Sequence, residues 1–429
     1  MFDVVIKNGL CFVDGEFVQA NVGLEGNLIA YVGKDNVRGD LEIDAKEKIV
    51  IPGLFNAHTH LAMTLFRGYA EDLPLKDWLE KKIWKVEKLL EPRDVYWGSL
   101  LGILEMLKSG TTAFSDLYIH MDEVAKAVGE SGIRAVLSYG MADRGNKEKA
   151  ELELKIGTEF IKNWDNAFNG RIKAIFGPHA PYTCTPSFLR RVKDVARELN
   201  THVHIHVAET KWEVEHVKSA YGKTPIRLLD DIGFLDEKTV IAHAIWIDEE
   251  EMKILKERNV SVVHCPISNL KLASGIAKVK NLHDLGINVC LGTDGASSNN
   301  TYNLFEEIKM TSLLQKVITG RADALKAKDV LKMATENGYR AYGIKGGRLE
   351  KGYLADIVLI DRRKHNYCPM YDPLHSLVYA SYGCEVTHVI VDGELIVEDG
   401  IVLTLDEDKI IDKVESLKEK FQAGTNFVP

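Results

Sequence analysis

The sequence predicts an α/β protein. A (β/α)8 barrel of the TIM type spans residues 51–350, a small composite β-sandwich domain is assembled from residues 1–50 and 351–406, and a C-terminal helix and tail cover 407–429. Three observations carry that reading. From about residue 50 to 345, apolar strand-like runs alternate with amphipathic helical stretches, the pattern of β/α units around a parallel sheet. Both ends of the chain carry short strand-like runs parted by turn signals, and neither end alone has enough strands to bury a two-sided core. Histidines and an aspartate fall at the ends of the central strands, where a barrel of this kind keeps its chemistry.

The elements follow in order. Residues 1 to about 50 read as short strands broken at Asp14-Gly15 and Glu25-Gly26-Asn27, the texture of a small antiparallel sheet. The barrel strands are expected to end near Phe55, Ser115, Tyr139, Gly177, His206, His243, His264 and Gly292. Strand texture returns at Ala355 to Ile360 and Val389 to Val391, with turns at Asp392-Gly393 and Asp399-Gly400, and Lys409 to Phe421 has a helical period. Order is expected throughout, the polar end Gln422-Ala423-Gly424-Thr425-Asn426 excepted.

Composition narrows the class. The net charge is −9 with no basic run, which argues against a nucleic-acid partner, because phosphate binding needs clustered Lys and Arg. The six cysteines are scattered without a Cys-x-x-Cys, so neither a disulfide framework nor a thiolate zinc site is expected. The N-terminus shows no export signal and no apolar run is long enough to cross a bilayer, so a cytoplasmic protein with no membrane partner is expected.

The chemistry centres on Asn56-Ala57-His58-Thr59-His60. Side chains alternate faces along a strand, so His58 and His60 point the same way, within reach of one ion. His179 follows the fourth strand, His206 and His243 end the fifth and sixth, and Asp294 follows the eighth. In Thr201-His202-Val203-His204-Ile205-His206 the three histidines share a face. His206, the most C-terminal, is the expected ligand, with His202 and His204 as hydrogen-bonded residues of lower barrel layers.

Three imidazoles and a carboxylate suit one divalent ion, most simply Zn²⁺, and also Fe²⁺ or Mn²⁺. Such an ion lowers the pKa of a bound water from ~16 toward ~7, which points to hydrolysis or hydrolytic deamination. Glu209, just past the strand end, is placed to shuttle a proton, His243 to hold the attacking water, and Asp294 to act as ligand and base. His264 is left to a structural role. The fourth strand ends in Gly177-Pro178-His179 and Lys173 lies too far back to bridge two metals, so one metal per chain is expected.

The combination of Pro52-Gly53-Leu54-Phe55-Asn56-Ala57-His58-Thr59-His60, Gly177-Pro178-His179-Ala180-Pro181-Tyr182-Thr183, His206-Val207-Ala208-Glu209-Thr210, His264-Cys265-Pro266-Ile267-Ser268-Asn269 and Gly292-Thr293-Asp294-Gly295-Ala296-Ser297-Ser298-Asn299 resembles the amidohydrolase superfamily over nearly the whole chain. The closest likeness is to its S-adenosylhomocysteine, 5′-methylthioadenosine and 5′-deoxyadenosine deaminases. The resemblance implies that His58, His60, His206 and Asp294 hold the metal, that Glu209 protonates the purine ring nitrogen beside the attacked carbon, and that His243 orients the water. It further implies His179 as a contact to the base, Glu87 as the grip on the ribose hydroxyls with Trp78 nearby, a role in nucleoside salvage, and homo-oligomers, often tetramers. Glu87 lies off the apolar stripe Leu79, Ile83, Val86 and Leu90 of its helix, where spacing alone predicts a solvated charge. Family members suited to the homocysteine tail carry an arginine just after the third strand. Here Ser138-Tyr139-Gly140 stands in that place with Arg144 the nearest cation, so S-adenosylhomocysteine is expected to be accepted without special advantage.

Two other readings compete. One is a deaminase of another ring, such as guanine, cytosine or a triazine, in the same fold. The other is a binding protein of amidohydrolase type without catalysis, which the presence of all four ligand positions disfavours. A zinc deaminase of the cytidine type needs His-x-Glu and Pro-Cys-x-x-Cys, which are absent.

Overall fold

The computed structural model describes residues 1–425. The expectation for Asn426, at the polar C-terminal end, lies outside the described residues. Two nine-stranded sheets organise the chain. One is the curled parallel sheet of the barrel, with strands Leu54–His60, Thr111–Tyr118, Arg134–Met141, Ile172–Pro178, Val203–Val207, Thr239–His243, Ser261–His264 and Val289–Leu291 in unbroken spatial order. The ninth, Asp294–Gly295, pairs in parallel with Thr59 and His60, so the broken eighth strand closes the ring against the first. Amphipathic helices such as Pro92–Lys108, Lys147–Trp164 and Pro186–Glu198 follow individual strands, the last led by a Thr185 side chain that caps the Phe188 amide.

The second sheet is drawn from both termini. Its spatial order runs Ile401–Val402, Glu394–Glu398, Val386–Val391, Ile357–Asp361, Lys48–Pro52, Phe2–Val13, Glu16–Glu25, Leu28–Gly33, with Gly39–Asp44 also on Phe2–Val13. The antiparallel texture expected of the N-terminal strands holds for the hairpin Phe2–Val13/Glu16–Glu25, but Gly39–Asp44 and Lys48–Pro52 run parallel to Phe2–Val13. Turn dipeptides reveal tight hairpins, whereas a returning parallel strand leaves no local mark. An apolar cluster including Val4, Ile6, Val22, Ile357 and Leu359 fills this layer.

Lys48–Pro52 pairs Phe2–Val13 on one side and Ile357–Asp361 on the other, then the chain passes directly into the barrel. The switch happens at Gly53, whose amide donates to the Asp356 carbonyl at 2.8 Å. A Cβ on Gly53 would overlap the Thr112 hydroxyl, so only glycine lets the backbone pass there. The two layers are pinned by buried Arg134, which donates to Asp356 at 2.8 and 3.2 Å and to Asp392 at 2.7 Å, while the Tyr339 hydroxyl donates to Asp356 at 2.8 Å. Beneath the site the barrel is filled by Phe55, Tyr339 and Tyr342, with Phe55 stacked on Tyr342 at 5.6 Å. C-terminal helix Glu407–Thr425 is longer than the expected Lys409 to Phe421 and sets Phe421 edge-on against Phe66.

Candidate metal centre and substrate pocket

His58 and His60 were expected just past the first strand, but both lie within it, because pairing with Asp294–Gly295 extends the strand to His60. The strand's aim is fixed by Asp116, whose Oδ1 accepts from Thr59 Oγ1 at 2.8 Å and from the Leu61 amide at 2.7 Å. His58, His60 and His206 then offer nitrogens that all lie within 4.8 Å of one another. Asp294 Oδ1 is 3.1 Å from His60 Nε2 and 3.4 Å from His58 Nε2.

The hydrogen positions follow from the partners. His60 Nδ1 is 2.6 Å from the Leu117 carbonyl and His206 Nδ1 is 2.7 Å from the His179 carbonyl, so each Nδ1 donates and each Nε2 keeps its lone pair. Those two Nε2 atoms face each other at 3.3 Å. His58 is fully buried, and neither of its ring nitrogens has a hydrogen-bond partner among the described residues. With these rings neutral, lone pairs and a carboxylate oxygen converge on one point, an arrangement that a divalent cation, or a proton shared by His60 and Asp294, relieves. The donor set fits a metal site, its nitrogens and oxygen matching the preferences of borderline cations. Left to protons alone, the cluster shows the same demand: against the opposing effect of burial, the Asp294 carboxylate raises His60 to about 9, and Asp294 itself is held well below the usual carboxylate range.

Three groups that can move protons surround this point. Glu209 is buried, and its burial pushes the carboxyl above its ordinary value. Its Oε1 accepts from Ser274 Oγ at 3.0 Å, and Oε2 lies 3.6 Å from His243 Nε2. Asp294 Oδ2 accepts from Ser268 Oγ at 2.6 Å and Ser298 Oγ at 2.9 Å, which leaves Oδ1 facing the histidines. Glu213 accepts the Ala208 and Glu209 amides at 2.8 and 2.9 Å and so ties down the backbone that carries Glu209. Ala208, His243 and Asp294 all take left-handed φ, +54°, +75° and +64°. Non-glycine residues rarely adopt that conformation, and here it turns side chains at the strand ends into the site.

Above the cluster opens a cavity of about 270 Å³, just below the ~300–1,000 Å³ typical of small-molecule sites. His60, His206, Glu209, His243 and Asp294 form its base. Glu87 enters from the segment 75–90, which runs through single turns of differing pitch, a π turn at Trp78–Ile83 among them. Spacing predicted a solvated charge; in the structure Glu87 faces the pocket, accepts from the Tyr118 hydroxyl at 2.8 Å, and is raised by burial to about 7. The uneven helical pitch defeats a stripe drawn at regular spacing. Trp78 and His179 line the same cavity. The Trp78 Nε1 donor has no partner among the described residues, and His179 Nδ1 is 2.8 Å from Thr183 Oγ1.

Arg144 also lines the cavity, its guanidinium 4.7 Å from the Trp84 ring centroid. The sequence names Arg144 as the nearest cation; in the structure a second, Lys149, reaches the same wall together with Glu153 from the helix Lys147–Trp164. Lys149 Nζ lies 3.7 Å from Glu153, which accepts from the Tyr139 hydroxyl at 2.9 Å. Lower in the barrel, His204 Nδ1 is 2.6 Å from the Tyr342 hydroxyl, as expected of a core residue. His202 is buried beside Tyr342 as expected, but its Nδ1 has no hydrogen-bond partner among the described residues. The Lys173 amine donates to the Tyr342 carbonyl at 2.6 Å, remote from the pocket lining.

Residues that sequence reasoning did not single out are Tyr118, Lys149, Glu153, Ser268, Asn269, Ser274, Glu213 and Ser298. Ser268, Asn269 and Ser298 stand inside motifs noted in the sequence, so hydroxyl and amide partners were within reach there. Nothing local marks the others.

Comparison with known proteins accords with this geometry. The profile of the amidohydrolase family matches residues 49–396. A 5-methylthioadenosine/S-adenosylhomocysteine deaminase 2 of Archaeoglobus fulgidus is 55% identical over 99% of this chain and 100% of its own length. A 5′-deoxyadenosine deaminase of Methanosarcina acetivorans is 47% identical over 99% of this chain and 100% of its own. Among solved structures, an adenosine deaminase from Xanthomonas campestris with bound zinc superposes with a TM-score of 0.94 at 31% identity, covering 98% of this chain and 99% of that one. A profile match across both the barrel and part of the terminal sheet, together with relatives aligned from end to end, establishes that the chain belongs to the amidohydrolase family.

Proposed function

We propose that the protein deaminates the adenine ring of 5′-modified adenosines by hydrolysis, giving ammonia and the inosine analogue, with one divalent cation per chain held by His58, His60, His206 and Asp294. The observation that carries this reading is the meeting of a metal-type donor cluster with a buried Glu209 carboxyl at the base of a pocket whose wall bears Glu87. Its support from outside the structure is the names of the relatives, deaminases of 5′-deoxyadenosine and of methylthioadenosine and S-adenosylhomocysteine.

A divalent cation held by that cluster, Zn²⁺ by preference, would lower the pKa of the water that attacks the ring. The chain's own residues do the rest. His243 Nε2 accepts a hydrogen bond from the attacking water and aims it. Glu209, whose buried carboxyl is pushed above its ordinary value, gives a proton to the ring nitrogen next to the attacked carbon, which draws electrons away from the site of attack. Asp294 Oδ1 takes one proton from the water and passes it to the amine, which leaves as ammonia, while the second water proton, released as the new C–O bond becomes a carbonyl, returns to Glu209. His179 meets the base and Glu87, held by Tyr118, accepts the ribose hydroxyls. At the far wall the cation–carboxylate pair of Lys149 and Glu153, with Arg144, suits a zwitterionic 5′-tail better than Arg144 alone, so S-adenosylhomocysteine gains ground beside smaller 5′-groups. Trp78 packs against the nucleoside.

No helix of the described residues is long and apolar enough to cross a membrane. The proposal extends to a cytoplasmic homo-oligomer, a tetramer as the superfamily resemblance implies, for which exposed apolar side chains such as Val317 and Tyr371 offer contact surface. Light scattering reads the subunit count. The reaction is tested by ammonia release from 5′-deoxyadenosine, with guanine and cytosine as controls: release from the adenosine alone supports it, and release only from guanine or cytosine overturns it.

A further inference from the structure

We infer that Asn269 is a positioning residue that holds His243 in the tautomer with hydrogen on Nδ1. The ring nitrogen His243 Nδ1 lies 2.9 Å from Asn269 Oδ1, and both residues are buried, each 1% exposed. A carbonyl oxygen only accepts, so Nδ1 carries the hydrogen and Nε2 keeps its lone pair. That lone pair points toward Glu209 Oε2, 3.6 Å away, and into the pocket. The opposite tautomer would turn an N–H toward the Glu209 carboxyl and have nothing with which to accept a hydrogen from water.

The local backbone does not aim the ring unaided. His243 and Ala244 are both left-handed, at φ +75° and +45°, so His243 is the last residue of its strand, where the backbone turns away and the side chain needs a tether. Asn269 is built to be one. It sits in the short helix Pro266–Lys271, its amide donating to the Cys265 carbonyl at 3.0 Å and its own carbonyl accepting from the Ser274 amide at 2.8 Å. The residues beside it serve the same site: Ser268 donates to Asp294 and Ser274 to Glu209. One segment after the seventh strand thus holds a partner for each of the three proton-handling groups, and Asn269 is the partner that decides which nitrogen of His243 is free. Its kinetic consequence rests on the proposed deamination; the tautomer does not.

The test uses the full-length, metal-loaded protein labelled with ¹⁵N-histidine, the His243 signals being assigned by their loss in His243→Asn. Wild type is expected to show a protonated Nδ1 and an unprotonated Nε2. Asn269→Asp keeps an acceptor and should keep that pattern, while Asn269→Leu, of similar size without an acceptor, should lose it. In turnover, Asn269→Leu is expected to lower kcat by ~10²-fold with KM changed by less than about threefold, and Asn269→Asp to recover at least about tenfold of the loss. An unprotonated Nδ1 in wild type overturns the inference, as does an Asn269→Leu protein with both tautomer and kcat intact, or equal losses in the two variants with KM raised. Tautomer changes as expected, in a protein that deaminates no adenosine, would leave the tether standing and remove the proposed reaction instead.

Discussion

His60 Nε2 and His206 Nε2 face each other across 3.3 Å while both rings give their Nδ1 hydrogens to backbone carbonyls. Two such nitrogens held at that distance, with Asp294 Oδ1 beside them, form a donor set that suits a cation. Protein prepared without chelator is therefore predicted to hold about one equivalent of divalent metal per chain. Complete removal should abolish turnover, and Zn²⁺, Fe²⁺ or Mn²⁺ should restore it to differing extents. Elemental analysis beside the activity assay checks this. Two tightly held equivalents, or full activity without metal, would contradict it.

Glu209→Gln preserves shape and the Ser274 contact but removes the proton carrier. The expected result is a fall in kcat of ~10²-fold or more with metal content still near one per chain, because Glu209 is not among the convergent donors. His206→Ala should instead lose the metal. A Glu209→Gln enzyme with kcat near wild type would remove Glu209 from the chemistry.

Burial raises Glu87 to about 7, against the pull of the Tyr118 hydrogen bond. A bound cation stabilises the anion further, so in the loaded enzyme the midpoint falls at or below that value. The anionic form is the one that accepts two hydroxyl hydrogens, and it grows as pH rises. KM for a 5′-modified adenosine should accordingly fall with rising pH up to that midpoint and then level off. Glu87→Gln should flatten the limb and raise KM; an identical limb in that variant would assign the titration to another group.

Asp356 takes two hydrogen bonds from buried Arg134 and one from Tyr339, and also accepts the Asp392 amide at 2.8 Å. Asp356→Ala leaves that guanidinium with the Asp392 carboxylate and the Gly170 carbonyl and strips a partner from Tyr339, a loss of ~3–5 kcal/mol for a buried ion pair broken on one side. Denaturant unfolding should show it, while the metal content of the folded fraction stays near wild type. A loss below about 1 kcal/mol would mean that the two layers are not pinned there.

The barrel was legible because its signal is periodic: of eight apolar runs, all but the first end within three residues of the observed strand end, from Tyr139 near Met141 to His206 beside Val207. The metal donors were legible for the same reason, since strand alternation puts His58 and His60 on one face. What stayed hidden depends on contacts between distant segments. The parallel return of Gly39–Asp44, the extension of the first strand by Asp294–Gly295, and the burial of Glu87 against Tyr118 all arise from residues far apart in the chain. Lys149 and Glu153 were hidden in a different way, because on a helix of mixed charge nothing separates the two that reach the pocket from those that meet water.

The central claim is the substrate, and the measurement that tests it most directly is kcat/KM for 5′-deoxyadenosine, methylthioadenosine, S-adenosylhomocysteine, adenosine, 2′-deoxyadenosine and AMP, with guanine and cytosine as controls, followed in the ultraviolet as adenine becomes hypoxanthine. The three 5′-modified adenosines are predicted to lead. 2′-Deoxyadenosine should trail adenosine by a factor corresponding to ~1–3 kcal/mol, since Glu87 is left with an unpaired oxygen. AMP should be poor, because its phosphate meets a wall where Lys149 is already paired with Glu153. A ranking led by AMP, guanine or cytosine would contradict the account even if the metal centre proved as described.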